Sequence, residues 1–299
     1  MGALIWLASY PKSGNTWMRS FLHNLFRNEP KPIDINDITD FCIGDSGAQW
    51  FLRRSGGRPV SELTEEEIAR LRPLVHGDFT TVFPDSVFVK THNYFGEWFG
   101  FPLHTMDVTA GGIYVLRNPL DVAISVSHHF GETIEEAIDH LANDQMVAGG
   151  DESHVLEVHR SWSTHVKSWT EHPSPQLLVM RYEDLLLKPR KHFKQVANFL
   201  GLKPSPERLD RAIRNSSFKA LKAIEERKGF KERSKKAESF FREGRAEQWR
   251  EVLTPEQVRR IISDHHEQME RFGYIPEDYR DAVPVADMEG QDAAGVVRG

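Results

Sequence analysis

The chain has 299 residues, 39% hydrophobic and 27% charged, an ordinary globular composition that excludes collagen-like and wholly disordered classes. Its 38 Lys and Arg against 44 Asp and Glu leave a formal charge of −6, which argues against a dedicated nucleic-acid binder but leaves local basic sites open. The single cysteine, Cys42, excludes an intrachain disulfide and a cysteine-cluster metal site, and no stretch approaches the ~20 apolar residues of a membrane span.

The first element is the apolar run Ala3–Ala8 (ALIWLA). It has no basic flank and no small-residue cleavage pattern, so it is expected to be a core strand rather than a signal peptide. The expected compartment is the reducing cytoplasm. In TWMRSFLHNLF, Trp17, Met18, Phe21, Leu22, Leu25 and Phe26 fall on one face of a helix. Thr64 and Glu67 form a capping-box pattern that opens an acidic helix toward Leu71. Short apolar runs follow at Val87–Val89, Gly112–Leu116 and Leu177–Met180, the signature of strands covered on both faces. Helices are predicted from Ser153 to Thr170, Arg190 to Leu200, Glu207 to Arg214 and Thr254 to Phe272, the last with Thr254 as N-cap and Pro255 at the first helical position. The stretch from Lys219 to Lys236, with eight basic and three acidic residues, reads as irregular. Residues 280–299 read as a flexible acidic tail, which leaves residues 1–279 as one domain. Alternating strands and helices predict a single α/β domain, a central parallel sheet flanked by helices.

Ligands of such sheets bind beyond the carboxyl ends of the strands. The residues there are Ser9 to Thr16, Lys90-Thr91-His92, Arg117-Asn118-Pro119 and Arg181 to Asp184. The first is a P-loop-like strand-loop-helix, with Lys12, two hydroxyls and backbone N–H groups around a helix start, suited to phosphate or sulfate. It is not a Walker A loop, because its lysine precedes the glycine. Trp162, His165 and Trp169 share a helix face and are expected in the core, and Asp121 is expected to cap a helix start. The His128-His129 and His265-His266 pairs lack carboxylate or cysteine partners at ligand spacing, so no metal is expected.

SYPKSGNTW resembles the 5′-phosphosulfate loop of the cytosolic-type sulfotransferases, which use 3′-phosphoadenosine-5′-phosphosulfate (PAPS) and release its desulfated form, PAP. VKTH, VLRNPLDVAISVSHHF, WSTHVKSW, LLVMRYEDLLLKP, NSSFKALK and FFREGRAEQW resemble further elements of that family, in the family's order, from about Leu4 to Trp249. The resemblance implies sulfonate transfer from PAPS to a hydroxyl or amine of a small, aromatic or lipid-like acceptor, without a metal. It implies that Lys12 contacts the bridging oxygen and sulfonate, that Ser13, Gly14, Asn15 and Thr16 surround the 5′-phosphate, and that Trp17 lies against adenine. Arg117 and Ser125, helped by Arg242 and Gly244, would hold the 3′-phosphate, while Tyr182, Ser216 and Phe218 would line the adenine site. Lys90 and His92 would sit at the reacting centre, His92 as general base. That role suits an imidazole with an ordinary pKa near 6.5.

Three departures from the family pattern stand out. Glu243 replaces a lysine of the family's RKG-type loop and is expected to point away, leaving Arg242 or Arg245 as ligand. The longer N-terminal extension of animal relatives is missing, as in bacterial-like members, so an acceptor wall is expected from Phe41 to Phe51 or Phe95 to Phe101. Arg250 to Arg259 match the family's dimer motif only in part, with Pro255 and Arg259 at its Val and Glu places, which leaves monomer or homodimer open. The basic run Lys219–Lys236 is expected to form a lid over the donor. The alternatives are a P-loop kinase of nucleotides or small metabolites, which would need Mg²⁺, a non-catalytic nucleotide-binding protein, and a Golgi-type carbohydrate sulfotransferase.

Overall fold

A computed structural model of the chain describes residues 2–280; the expected acidic tail, apart from Arg280, lies outside the described residues. The four predicted strands all form: β1 (Ala3–Ser9), β3 (Ser86–Thr91), β4 (Thr109–Leu116) and β5 (Leu177–Arg181). A three-residue strand that the sequence did not announce, β2 (Cys42–Gly44), joins them. The five run parallel in the order β2-β3-β1-β4-β5. The apolar runs are continuous because both faces are covered. Leu4, Trp6, Ala8, Val87, Val89 and Tyr114 pack on one face, while Leu7, Phe88, Ile113, Val115 and Met180 pack on the other.

Helix α1 (Asn15–Arg27) leaves β1 and lays Met18, Phe21, Leu22 and Leu25 on the second face, beside the helices Pro189–Phe199 and Pro206–Asn215. Helix α2 (Pro119–Phe130) leaves β4 and packs on the first face, near Trp162–Thr170 and Pro255–Arg271. Chains that leave adjacent strands toward opposite faces open a crevice at the carboxyl ends of those strands. That crevice is where the candidate site lies.

Some expectations are met in detail. Thr64 with Glu67 and Thr254 with Gln257 form complete capping boxes, and Trp162, His165 and Trp169 are buried. Others need correction. The helix predicted from Ser153 to Thr170 is confined to Trp162–Thr170. Residues 154–159 are held extended, with Val155 N–H donating to the Ser46 carbonyl and His159 N–H to the Met146 carbonyl, before the left-handed Arg160 at φ 60. The stretch read as irregular from Lys219 is helical over Phe218–Lys228, capped by the Ser217 side chain. The acidic helix continues past Leu71 to Phe79 despite Pro73 in its interior. No helix among the described residues is long and apolar enough to cross a membrane.

Candidate active site

A cavity of about 1130 Å³ opens at the carboxyl end of the sheet. All the site residues singled out in the sequence line it except Ser13 and Ser216. Ser216 is wholly buried and donates its hydroxyl to the Ala212 carbonyl at 2.8 Å, closing the helix Pro206–Asn215. Its neighbour Ser217 lines the cavity instead. Ser216, expected to line the adenine site, is instead committed to a helix end and does not line the cavity.

The loop after β1 is shaped by two left-handed residues, Lys12 at φ 65 and Gly14 at φ 109. A Cβ at Gly14 would lie 2.8 Å from the Tyr182 ring, so glycine is required both for conformation and for space. The Ser13 Oγ and Trp17 Nε1 are buried without partners among the described residues. Asn15 differs from the resemblance: its side-chain amide donates to the Leu7 carbonyl at 2.8 Å, turned toward the strand. Lys12 Nζ stands 3.3 Å from His129 Nδ1 and 3.9 Å from the centre of the Phe240 ring. Burial, then the nearby Arg117 charge, lower its pKa to about 7.

Beyond β3, His92 places Nδ1 2.8 Å from the Ser9 carbonyl oxygen. A carbonyl can only accept, so Nδ1 carries the proton and Nε2 keeps its lone pair. Burial first, then Lys90 and His159, push the imidazole well below its usual value, so it is neutral at physiological pH. His92's own carbonyl accepts from His165 Nε2 at 3.1 Å, and His165 Nδ1 accepts from the Tyr114 hydroxyl at 2.9 Å. Lys90 Nζ is 3.9 Å from the Glu157 carboxylate, which also accepts the His92 N–H at 3.3 Å.

The end of β3 is anchored by a buried carboxylate that sequence reasoning missed. Asp45 pairs with Arg72 at 3.0 Å and His76 at 2.9 Å, and accepts from Thr91 Oγ1 and the Asn93 amide. Burial alone would raise its pKa; Arg72 and His76 override it and hold Asp45 well below the usual carboxylate range. Asn93 then accepts Val158 N–H at 2.6 Å and ties the segment 157–159 to the strand end. No local motif could have revealed this set, because its members are dispersed in sequence and meet only across the fold.

On the far side of the loop, Arg117 is buried and lies over the Tyr182 ring at 4.5 Å. It donates to the Lys12 carbonyl at 3.2 Å, sits 3.9 Å from Asp121, and keeps Nε without a partner among the described residues. Asp121 is not the cap of α2: the Asn118 side chain caps that helix. Asp121 instead accepts the N–H groups of Glu247 and Trp249. This fastens the loop that carries Arg242 and Gly244 against the strand end. Glu243 is paired with Arg245 at 3.0 Å, and Arg245 also bonds Glu251, so Arg245 is taken up at the surface. Arg242 donates to Gln248 at 2.6 Å.

The basic run contributes to the cavity in an unexpected sense, since an acid enters rather than a cation alone. Glu232 holds the buried guanidinium of Arg19 at 2.6 and 2.8 Å, and Arg19 donates to Thr16 Oγ1 at 3.1 Å. Burial opposes the carboxylate charge of Glu232, but Arg19 outweighs it and holds the group at about 2. Of the two acceptor walls expected, Cys42, Ile43, Gly44, Ser46, Gly47, Gln49 and Trp50 line the cavity, whereas Phe95, Trp98, Phe99 and Phe101 do not. Phe95 packs on His104 and Trp169, and Trp98 borders a separate small core. The second wall comes from Ala148 to His159, joined to the first where Ala48 N–H donates to the Ser153 carbonyl at 2.9 Å.

Comparison with known proteins agrees with this arrangement. Residues 4–273 match the sulfotransferase domain family. Cytosolic sulfotransferase 17 of Arabidopsis thaliana is 24% identical over 293 residues, covering 90% of this chain and 75% of the relative. Human sulfotransferase 1E1 is 25% identical over 225 residues, covering 72% of this chain and 65% of the relative, so the match spans just under two thirds of that protein. The solved structure of mouse sulfotransferase SULT7A1 complexed with PAP superposes with a TM-score of 0.60 at 22% identity, covering 94% of this chain and 89% of the mouse chain.

Proposed function

Because the chain belongs to the sulfotransferase domain family, we propose that it transfers the sulfonate of PAPS to a hydroxyl or amine of a small acceptor, with His92 as general base. The observation that carries this reading is the tautomer of His92. Its Nδ1 is committed to the Ser9 carbonyl, which leaves Nε2 as the basic nitrogen, and His92 lines the same cavity as Lys12, Lys90 and Arg117.

The residues fit an anionic nucleotide. Among the described residues, Arg117 Nε and Trp17 Nε1 are buried polar groups without partners on residues that line the cavity, the kind of group a bound ligand would satisfy. Arg117 and Ser125 would hold a 3′-phosphate, with Arg242 and the backbone at Gly244. The loop Lys12–Thr16 would hold the 5′-phosphosulfate, and Trp17, Tyr182 and Phe218 would enclose the base. PAPS supplies the sulfonate and a phosphate leaving group. Lys12 and Lys90 offset charge that builds on the leaving oxygen. Nε2 of His92 takes the acceptor's proton, and because burial keeps the ring neutral, nothing must dissociate from it first. Cytoplasmic action belongs to the same reading, supported by the word cytosolic in the plant relative's name.

Binding tests the assignment. PAP is expected to bind at least about tenfold more tightly than AMP without added Mg²⁺, since only PAP carries the phosphate that Arg117 would meet. Equal affinities in calorimetry would remove Arg117 and Ser125 from the proposal. The state of Lys12 adds a pH dependence. With its pKa near 7 in the free protein, Lys12 is partly neutral above that pH, and an adjacent anion raises its pKa. Binding therefore takes up a proton, and PAP affinity falls from pH 7 to 9. Calorimetry in buffers of different ionisation enthalpy measures the uptake, and Lys12→Arg is expected to abolish it.

A further inference from the structure

The segment from Glu157 to His159 runs extended beside the end of β3, with Tyr94 N–H donating to the Val158 carbonyl at 2.8 Å and Val158 N–H to Asn93. Alternation along an extended chain sends Glu157 and His159 to one side and Val158 to the other. Accordingly Val158 is wholly buried in the small core with Leu103 and Leu156, while Glu157 and His159 line the cavity. The His159 ring centre lies 6.2 Å from that of His92. His159 is only 3% exposed, yet neither ring nitrogen has a hydrogen-bond partner among the described residues. A buried imidazole without partners is costly unless a ligand completes it.

The charges around this end alternate. Lys90 and Arg19 are cations, Glu157 and Glu232 are anions, and each cation stands beside an anion. An acceptor bearing a full charge of either sign would meet a like charge close by, whereas a neutral acceptor rich in hydroxyls could both donate to the carboxylates and accept from Lys90. Trp50 and Gln49 on the facing wall add an aromatic plane and an amide, a combination that suits a ring with one apolar face and polar edges.

We propose that the acceptor is a neutral, multiply hydroxylated molecule of the sugar or cyclic-polyol class, with His159 and Glu157 binding a second hydroxyl beside the one that His92 deprotonates. This rests on the sulfotransferase reading above. His159 is a specificity-determining residue here and takes no proton in the transfer.

The test uses the full chain with labelled PAPS and four probes: methyl glucoside, cyclohexane-1,2-diol, cyclohexanol and 2-naphthol. The diol and the glucoside are expected to exceed cyclohexanol and 2-naphthol in kcat/KM by about tenfold or more, the value of one hydrogen bond to a buried polar partner. His159→Phe should raise KM for the diol and glucoside about tenfold with kcat changed little, leave cyclohexanol unaffected, and leave PAP affinity intact. His159→Gln should restore part of the preference, and PAP binding by either variant certifies that it is folded. Preference for 2-naphthol, a His159→Phe variant that keeps the wild-type ratios, or transfer to none of the probes would overturn the proposal. Failure of the sulfotransferase reading looks different: the wild-type chain would then neither bind PAP nor consume PAPS.

Discussion

Replacing His92 by alanine lowers kcat for sulfonate transfer by about 10²–10⁴-fold, while PAP affinity stays within a few-fold of wild type. The split follows from the geometry. Nδ1 is occupied by the Ser9 carbonyl and the peptide carbonyl of His92 by His165, so the ring and its backbone are each held and the remaining ring nitrogen is left for chemistry. The proposed nucleotide-binding groups, Lys12 to Trp17 and Arg117, lie on the β1 and β4 loops, and the imidazole touches that side only through Ser9, at the end of β1. The pH profile adds a second signature. A base must be unprotonated to act, and burial lowers the His92 pKa well below 6.5. The acidic limb of kcat/KM is therefore expected below pH 6.5 rather than at it. A variant that loses PAP binding together with transfer would mean that His92 holds the loop rather than serving as base. Stopped assays with labelled PAPS and calorimetry with PAP separate the two.

Replacing Asp45 by alanine is expected to destabilise the protein by about 3–5 kcal/mol. Arg72 is 1% exposed and would keep its charge without a carboxylate partner, and Thr91 and Asn93 would lose an acceptor at the end of β3. Urea unfolding reads the loss directly. Because the folded carboxyl titrates well below its unfolded value of about 3.9, its contribution is complete above that pH. It is lost as the pH falls toward the folded value, so the gap between wild type and variant should shrink only in acid. Transfer should also slow, since the segment that carries His92 is anchored here. The double variant Asp45→Leu with Arg72→Met is expected to recover much of the stability, because replacing both charges removes the unpaired cation. If Asp45→Ala alone unfolds at the wild-type urea concentration, the pair is not an anchor.

Much of this molecule was legible in its sequence, for identifiable reasons. The four long strands are covered on both faces, and that cover demands unbroken apolar runs. The capping boxes at Thr64 and Thr254 are local hydrogen-bond patterns, readable within four residues. Lys12 and Arg117 could be found because strand ends follow directly from strands. What escaped was set by contacts distant along the chain. β2 is three residues at a sheet edge, too short to carry periodicity. Asp45, Arg72, His76 and Asn93 meet only after folding. Residues 154–159 are held extended by the carbonyls of Ser46 and Met146, which override their local preference. The aromatic cluster Phe95 to Phe101 follows His92 closely in sequence, but the Phe95 ring packs on His104 and Trp169, away from the cavity, and stays partly exposed. Glu157 and His159 line the cavity instead, so this part of its lining is polar. The acidic Glu232 within a basic run shows the same limit, since net charge over a segment does not tell which side chain turns inward.

The most direct measurement follows the sulfonate itself. The full chain, incubated with PAPS labelled on its sulfonate and a panel of hydroxyl and amine acceptors, is assayed without added divalent metal. Label is expected to leave the nucleotide for an acceptor in step with the appearance of PAP, and His92→Ala to stop the transfer while still binding PAP. Label that stays on the nucleotide with every acceptor, or a chain that instead moves the terminal phosphate of ATP in the presence of Mg²⁺, would contradict that expectation.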